Sequence, residues 1–363
     1  MAIPRVVVIG GSAGSIEPLR RIVDHLPADF PCAILVTIHT SPSSPGHLVE
    51  LLATTTGIPV SYAADGQRIQ PGHVLVAPPD RHLIARDGTV SLSRGPRENR
   101  ARPAIDPMFR SAAAAYRERV IGVILSGLLD DGADGLMAIR NAGGRAIVQD
   151  PNEAAYPDMP QEALRVAAVE EVLTAAAIGD RLARLAHESA EESRGSGAGK
   201  EAVSDGDELG RGGFETSGTP SGFACPECHG ALWQLREGRL VRFRCRTGHA
   251  FSADSAAAAL DEDVERALWT ALRSVEEKAA LARKLMASAE ERNSPLTVAM
   301  YEKRLREAQA SARTLRRLLG AEKARLVSPT KRLRATAPAK AGRGTARRPP
   351  PAARRPPPAA QAS

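Results

Sequence analysis

The chain has 363 residues, 43% hydrophobic, 25% charged and only 3% aromatic, which suits two globular domains with linkers and argues against an aromatic base-stacking platform for nucleic acid. No run of about 18 apolar residues occurs and Met1–Ile9 lacks a signal-peptide layout, so no membrane insertion is expected and the cytoplasm is the expected compartment. The net charge of +7 is uneven: residues 328–363 carry nine Lys/Arg and no acid, leaving −2 on the remainder.

Residues 1–188 alternate strand and helix patterns. RVVVIG (5–10), CAILVTI (32–38), HVLVAP (73–78), RVIGVILSG (119–127) and RAIVQD (145–150) are the strand candidates. All but HVLVAP are short apolar runs without alternation, as in strands covered on both faces. Helical stretches fall at Glu17–His25, Gly46–Ala53, Pro107–Tyr116, Gly135–Asn141 and Gln161–Val166. Strands separated by helices predict an α/β fold, a doubly wound, mainly parallel sheet with right-handed crossovers. HLIARDGTVSL (82–92) reads instead as a hairpin around Asp87-Gly88, an antiparallel excursion from that sheet.

Residues 189–221 are rich in Gly, Ser and charge, the composition of a flexible linker. A small module follows at 222–252, where Cys225-x2-Cys228, sixteen residues and Cys245-x3-His249 make two metal-binding knuckles. The intervening LWQLREGRLVRFRC alternates around Glu237-Gly238, a hairpin that would bring the knuckles together. Cys225, Cys228, Cys245 and His249 are therefore the expected ligands of a structural Zn ion, in a module too small to hold together by apolar burial alone. His229 is a fallback ligand, strained by its place beside Cys228. The fourth cysteine, Cys32, sits in a strand candidate, so the thiol count does not describe a disulfide framework.

Residues 253–322 predict a helical hairpin. Leu268, Leu272, Val275, Ala279, Ala282 and Met286 step by four and three, as do Leu305, Ala308, Ala312, Leu315 and Leu319, with the break at Asn293-Ser294-Pro295. Self-packing or self-association is its expected use. Residues 323–363 are a basic Pro/Ala-rich tail without the means to form a core, able at most to bind nucleic acid weakly and without sequence preference.

The chemistry turns on VVVIGGSAGSIEPLRRI (6–22). A Walker loop needs a Lys that is missing, and Gly10-Gly11-Ser12-Ala13-Gly14 lacks the spacing of a dinucleotide loop. G-x-S-x-G does fit Gly10, Ser12 and Gly14, a turn that exposes a serine hydroxyl at a strand end. Taken singly, such a turn serves packing more often than catalysis. His39, however, follows the second strand, and Asp130-Asp131-Gly132 follows the fourth. In a parallel sheet these ends share one edge, so a Ser, a His and an Asp converge in the combination that activates a hydroxyl nucleophile.

IGGSAGS, VTIH (36–39), PGHVLVAPPDRHL (71–83), RPAIDPMFRSAA (102–113), LSGLLDDGADGL (125–136) and MPQEA (159–163) together resemble the catalytic domain of CheB-type chemotaxis protein-glutamate methylesterases over about residues 3–186. The resemblance implies hydrolysis of glutamyl methyl esters on chemoreceptor-type signalling proteins with release of methanol, and in many members glutamine deamidation. It places the nucleophile on Ser12, the general base on His39 and the orienting acid on Asp131, and it implies a methylated chemoreceptor as partner and no cofactor for catalysis. Several positions depart from the pattern. Leu128 stands where the family has Met, Leu129 where it has Gly, and Ser15 replaces the second of two glycines. The receiver domain that typically precedes this domain is not expected here, because the first catalytic strand begins at residue 5. A signalling adaptor with a degenerate esterase fold is the alternative, favoured only by the altered Leu128-Leu129 segment.

Overall fold

In a computed structural model, residues 5–44, 46–192, 218–237 and 240–326 are described. Most of the expected linker and nearly all of the basic tail lie outside them. The first strand, β1 (Val6–Gly11), is buried along its whole length because it is apolar on both sides. Val6 and Val8 pack on one face with Met108, Phe109 and Leu136, and Val7 and Ile9 pack on the other with Leu19, Ile22 and Leu182. Each such side chain contributes roughly 1.5–3 kcal/mol of burial.

Chain order continues with α1 (Ile16–Asp24), β2 (Ala33–Ile38), α2 (Leu48–Ala53), β3 (Val60–Tyr62) and β4 (His73–Val76), then β5 (His82–Ala85) and β6 (Val90–Ser93). Next come α3 (Ile105–Tyr116), β7 (Val120–Ile124), α4 (Ala133–Asn141), β8 (Arg145–Gln149), α5 (Asp158–Val166), β9 (Glu171–Leu173) and α6 (Ala175–Glu192). Seven strands form one sheet in the order β3-β4-β2-β1-β7-β8-β9, and every pairing in it is parallel. Helices α3, α4 and α5 cover one face, and α1 and α6 cover the other. The pair β5–β6 stands apart as an antiparallel hairpin. The short edge strands β3 and β9 and the helix α6 were not among the sequence expectations. Three-residue strands are too short to show a period, and the α6 residues lie next to Gly- and Ser-rich chain.

The chain divides into two compact units at Val264/Glu265. The first unit also holds β10 (Thr219–Ala224), β11 (Ala231–Glu237), β12 (Leu240–Cys245) and β13 (Ala250–Ser252), a four-stranded antiparallel sheet. Its core is small: Cys225, Leu232, Cys245 and Phe251, with Ala256 and Ala259 from the start of α7 (Ala253–Glu291). In the second unit the rest of α7 packs on α8 (Pro295–Leu326) through Leu272, Ala312 and Leu319, flanked by Leu268, Val275 and Leu315. No helix among the described residues is long and apolar enough to cross a membrane.

Candidate active site

The register of the central strands sets the site. Gly11 of β1 lies opposite Ile38 of β2, so the next residues, Ser12 and His39, leave the sheet side by side, and the His39 N–H donates to the Gly11 carbonyl at 3.1 Å. The Ser12 N–H donates across to the Ser126 carbonyl beyond β7 at 3.0 Å. The Ser12 carbonyl is tied from the other side by the Ser15 hydroxyl at 2.6 Å and the Ser15 N–H at 3.2 Å. The serine that replaces the family's second glycine thus fastens the turn. Gly14 supplies the left-handed step, φ +74, that leads into α1.

The loop after β7 closes over this turn. The Ser126 hydroxyl donates to the Ala13 carbonyl at 2.8 Å and accepts from the Tyr156 N–H at 2.9 Å. Gly127 exchanges backbone bonds with Tyr156 and Met159, which ties the MPQEA segment to the loop that covers the serine turn. A Cβ on Gly127 would press into the Met159 sulfur and come within 2.9 Å of the Ser12 Cβ. Only glycine allows that approach.

Asp131 is 3% exposed and accepts four hydrogen bonds. One carboxylate oxygen takes His39 Nε2 at 2.7 Å and the Ile105 N–H at 2.7 Å; the other takes Asn99 Nδ2 at 2.9 Å and the Asp106 N–H at 3.2 Å. Ile105 and Asp106 open α3, so the acid sits on a helix N-terminus, where backbone N–H groups favour an anion. Burial pushes the Asp131 carboxyl up, but the His39 hydrogen bond and charge, the Ile105 N–H and Asn99 outweigh it and bring it down to about 2. Asp131 is an anion at any physiological pH. Because its bond to His39 runs through Nε2, the other ring nitrogen that could take a proton is Nδ1.

Its neighbours behave differently. Burial, reinforced by the charges of Asp131 and Asp134, raises the Asp106 pKa well above the ordinary carboxylate range. Its carboxylate serves the frame, accepting from Gly132, Gly135 and Asn99. Burial also raises Asp130, to about 6, against the opposing hydrogen bonds of Ser252 and Ser255.

Ser12, His39 and Asp131 line one cavity of about 350 Å³ together with Thr40, Asn99, Arg97, Arg100, Arg102, Leu128, Leu129 and Ser255. Three other histidines lie elsewhere: His47 is exposed beside Glu50, His73 bonds Ser61, and His82 is buried against the Pro96 carbonyl. Three residues escaped the sequence reading. Thr40 places a buried hydroxyl with no partner among the described residues at the cavity; its only signal was its place after His39. Asn99 precedes a matching motif but belongs to none, and Ser255 lies some 240 residues from the serine turn.

The two cysteine knuckles do converge. The donor atoms of Cys225, Cys228, Cys245 and His249 all lie within 4.8 Å of one another. Cys228 Sγ is 3.6 Å from Cys245 Sγ, and His249 Nδ1 is 3.4 Å from Cys245 Sγ and 3.8 Å from Cys225 Sγ. Sulfurs bound tetrahedrally to one zinc at about 2.3 Å would stand about 3.7 Å apart, so the spacing fits. Although burial opposes it, donors from Thr247 and the Gly230 N–H pull the Cys228 thiol down to about 6. His229 stands at φ +58, accounting for the turn rather than for a fifth donor.

Residues 7–182 match the family model for CheB methylesterase. A Leptospira interrogans protein, provisionally named protein-glutamate methylesterase/protein-glutamine glutaminase, is 38% identical over 187 residues, 51% of this chain and 97% of that protein. The protein-glutamate methylesterase/protein-glutamine glutaminase 1 of Xanthomonas campestris is 38% identical over 185 residues, 50% of this chain and 51% of its own length. The crystal structure of the Thermotoga maritima CheB methylesterase catalytic domain aligns with a TM-score of 0.48 at 34% identity, covering 50% of this chain and 98% of that one.

Proposed function

The chain belongs to the CheB methylesterase family, and we propose that it hydrolyses glutamyl γ-methyl esters on a methylated chemoreceptor or similar signalling protein in the cytoplasm, with Ser12, His39 and Asp131 as the triad. The observation that carries this reading is the 2.7 Å bond between His39 and the buried anion Asp131, at a cavity wall that also presents Ser12.

Ser12 Oγ attacks the ester carbonyl while His39 takes its proton, and Asp131 stabilises the imidazolium and fixes the ring. The tetrahedral oxyanion needs N–H donors. The Ser12 carbonyl is drawn toward Ser15, and in a trans peptide the Ala13 N–H points the opposite way, which makes it the first donor. Collapse returns the proton from His39 to the leaving oxygen and expels methanol. Water then attacks the acyl-serine by the same route, giving the glutamate carboxylate and free Ser12. An amide in place of the ester would lose ammonia, the glutaminase half of the relatives' names. The Thr40 hydroxyl suits a substrate with a polar group beside the ester, whereas Arg97, Arg100 and Arg102 are held by Glu227, Glu262 and Asp80.

The second proposal concerns Cys225, Cys228, Cys245 and His249, which we read as a structural zinc site, closed by four protein ligands. The helical hairpin remains a candidate for self-association.

Methanol release from a methylated chemoreceptor tests the triad. Ser12→Ala should reduce the rate at least a thousandfold; equal rates would remove the assignment.

A further inference from the structure

The Cys/His module is not an appendage of the α/β domain: it pairs with residues 97–99, of which Arg97 and Asn99 line the cavity. β13 pairs with residues 97–99 through a parallel bridge between Glu98 and Ala250. The Ala250 N–H donates to the Arg97 carbonyl at 3.3 Å, and the Asn99 N–H donates to the Ala250 carbonyl at 2.9 Å. Arg242 of β12 is 6% exposed and reaches Asp134 at 3.0 Å and Glu98 at 3.3 Å. Glu98 in turn holds Arg110 of α3 at 2.6 Å. At the start of α7, the Ser255 hydroxyl donates to Asp130 at 3.1 Å and lines the cavity beside Ser12 and His39.

Asn99 stands where these contacts meet the triad. It is buried, and its φ of +47 is a conformation that asparagine tolerates better than most residues. A primary amide offers two donors and one acceptor on one plane, and all are engaged. Nδ2 donates to Asp131 and to Asp106, and Oδ1 accepts the Ser252 N–H at 3.0 Å. Ser252 ends the strand that begins one residue after His249, a ligand of the proposed metal. A path therefore runs from the metal knuckle along the β13 backbone to Ser252, and from there by hydrogen bonds through Asn99 to Asp131 and His39.

We propose that Asn99 is a positioning residue for Asp131, and that metal binding by Cys225, Cys228, Cys245 and His249 holds Asn99 in place, so that the loaded module sets the competence of the triad. The module backs the 97–99 segment of the cavity wall and, among the described residues, supplies no lining residue of its own, which favours support over occlusion. This rests on the esterase reading for its kinetic consequence, but its geometric core does not.

The full-length protein is compared in four forms: native, Asn99→Ala, Cys225→Ser, and the two changes together. Zinc content is measured in each, with kcat and KM on a helical peptide bearing a glutamate γ-methyl ester. Asn99→Ala should keep its zinc and lose at least tenfold in kcat with KM within about twofold. Cys225→Ser should lose zinc and fall by a similar factor, and the double variant should be no worse than the weaker single one, because both act through one path. Asn99→Asp keeps the acceptor for Ser252 and lacks the donor to Asp131, so it gives the same answer should the alanine variant unfold. Independently of turnover, the downfield proton of the His39–Asp131 bond should be seen by NMR in the native protein and lost in both single variants. Native kcat and an unchanged proton signal in Asn99→Ala overturn the proposal, as does a higher kcat on zinc loss, which would make the module a cover. If native and Ser12→Ala release methanol equally while the proton signal still responds, the esterase reading falls and the positioning of Asp131 stands.

Discussion

The two sheets of the first unit are stabilised in opposite ways. Around β1, β2 and β7 the chain buries aliphatic side chains on both faces, and the site residues emerge from strands that could hardly be placed otherwise. The sheet of β10–β13 has one small cluster in which two of the buried residues are the thiols Cys225 and Cys245. One region holds its geometry by area removed from water, the other by four donor atoms brought together. Yet the second braces the 97–99 segment that lines the cavity of the first, so the precision of the well-packed region depends partly on the sparsely packed one.

The largest effect that would sharpen this contrast is metal removal. Chelation, or Cys245→Ser, should abolish amide protection in β11 and β12, since structural zinc in such small modules is worth on the order of 10 kcal/mol. β1, β2 and β7 should remain protected. Equal loss in both sheets would show that they form one cooperative body.

Next comes Gly127→Ala, which tests the packed edge alone. The added Cβ displaces Ser12 or Met159; overpacking should cost about 1–3 kcal/mol in urea unfolding, and the displacement of Ser12 should lower kcat by about a hundredfold. Zinc content should not change.

Asp130 and Asp131 bring the contrast to adjacent residues, one bonded to the metal-bearing module and one to the α/β frame. Asp130, raised to about 6, binds its proton more tightly folded than unfolded. Its contribution is complete below pH 4 and is lost as pH rises toward 6. Asp131, lowered to about 2, contributes above pH 4 and is lost as pH falls toward 2. Urea midpoints between pH 4 and 7 should therefore decline less in Asp130→Asn than in the native protein, by an amount on the order of 2 kcal/mol. Parallel pH curves would refute the raised pKa.

The smallest effect concerns Leu129, held at φ +62 where the family's pattern has glycine. A left-handed conformation costs a non-glycine residue roughly 1–2 kcal/mol, partly offset by the greater unfolded freedom of glycine. Leu129→Gly should raise stability by up to about 1 kcal/mol. A loss would mean that the leucine side chain repays the strain.

Much of this was legible before any coordinates. Apolar runs without alternation announce strands covered on both faces, and the position of Ser12, His39 and Asp131 after three such runs is enough to bring them to one edge. The cysteine spacing likewise points to the knuckles. Asn99 and Ser255 were not legible, for a physical reason. Their roles come from the docking of one small sheet against a loop, through backbone bonds and an amide that leave no period or spacing. Asp130 and Asp131 were distinguished only by resemblance, because neighbouring carboxylates look alike until their surroundings bury one and hydrogen-bond the other.

The order of the three central strands, β2-β1-β7, has a consequence for the history of each molecule. His39 and Asp131 are 92 residues apart, and their bond exists only once β7 has docked beside β1. Such non-local closure is slow relative to helix formation. During refolding, the return of a working serine should therefore trail the return of helical signal, and turnover becomes a timer for the last strands to join.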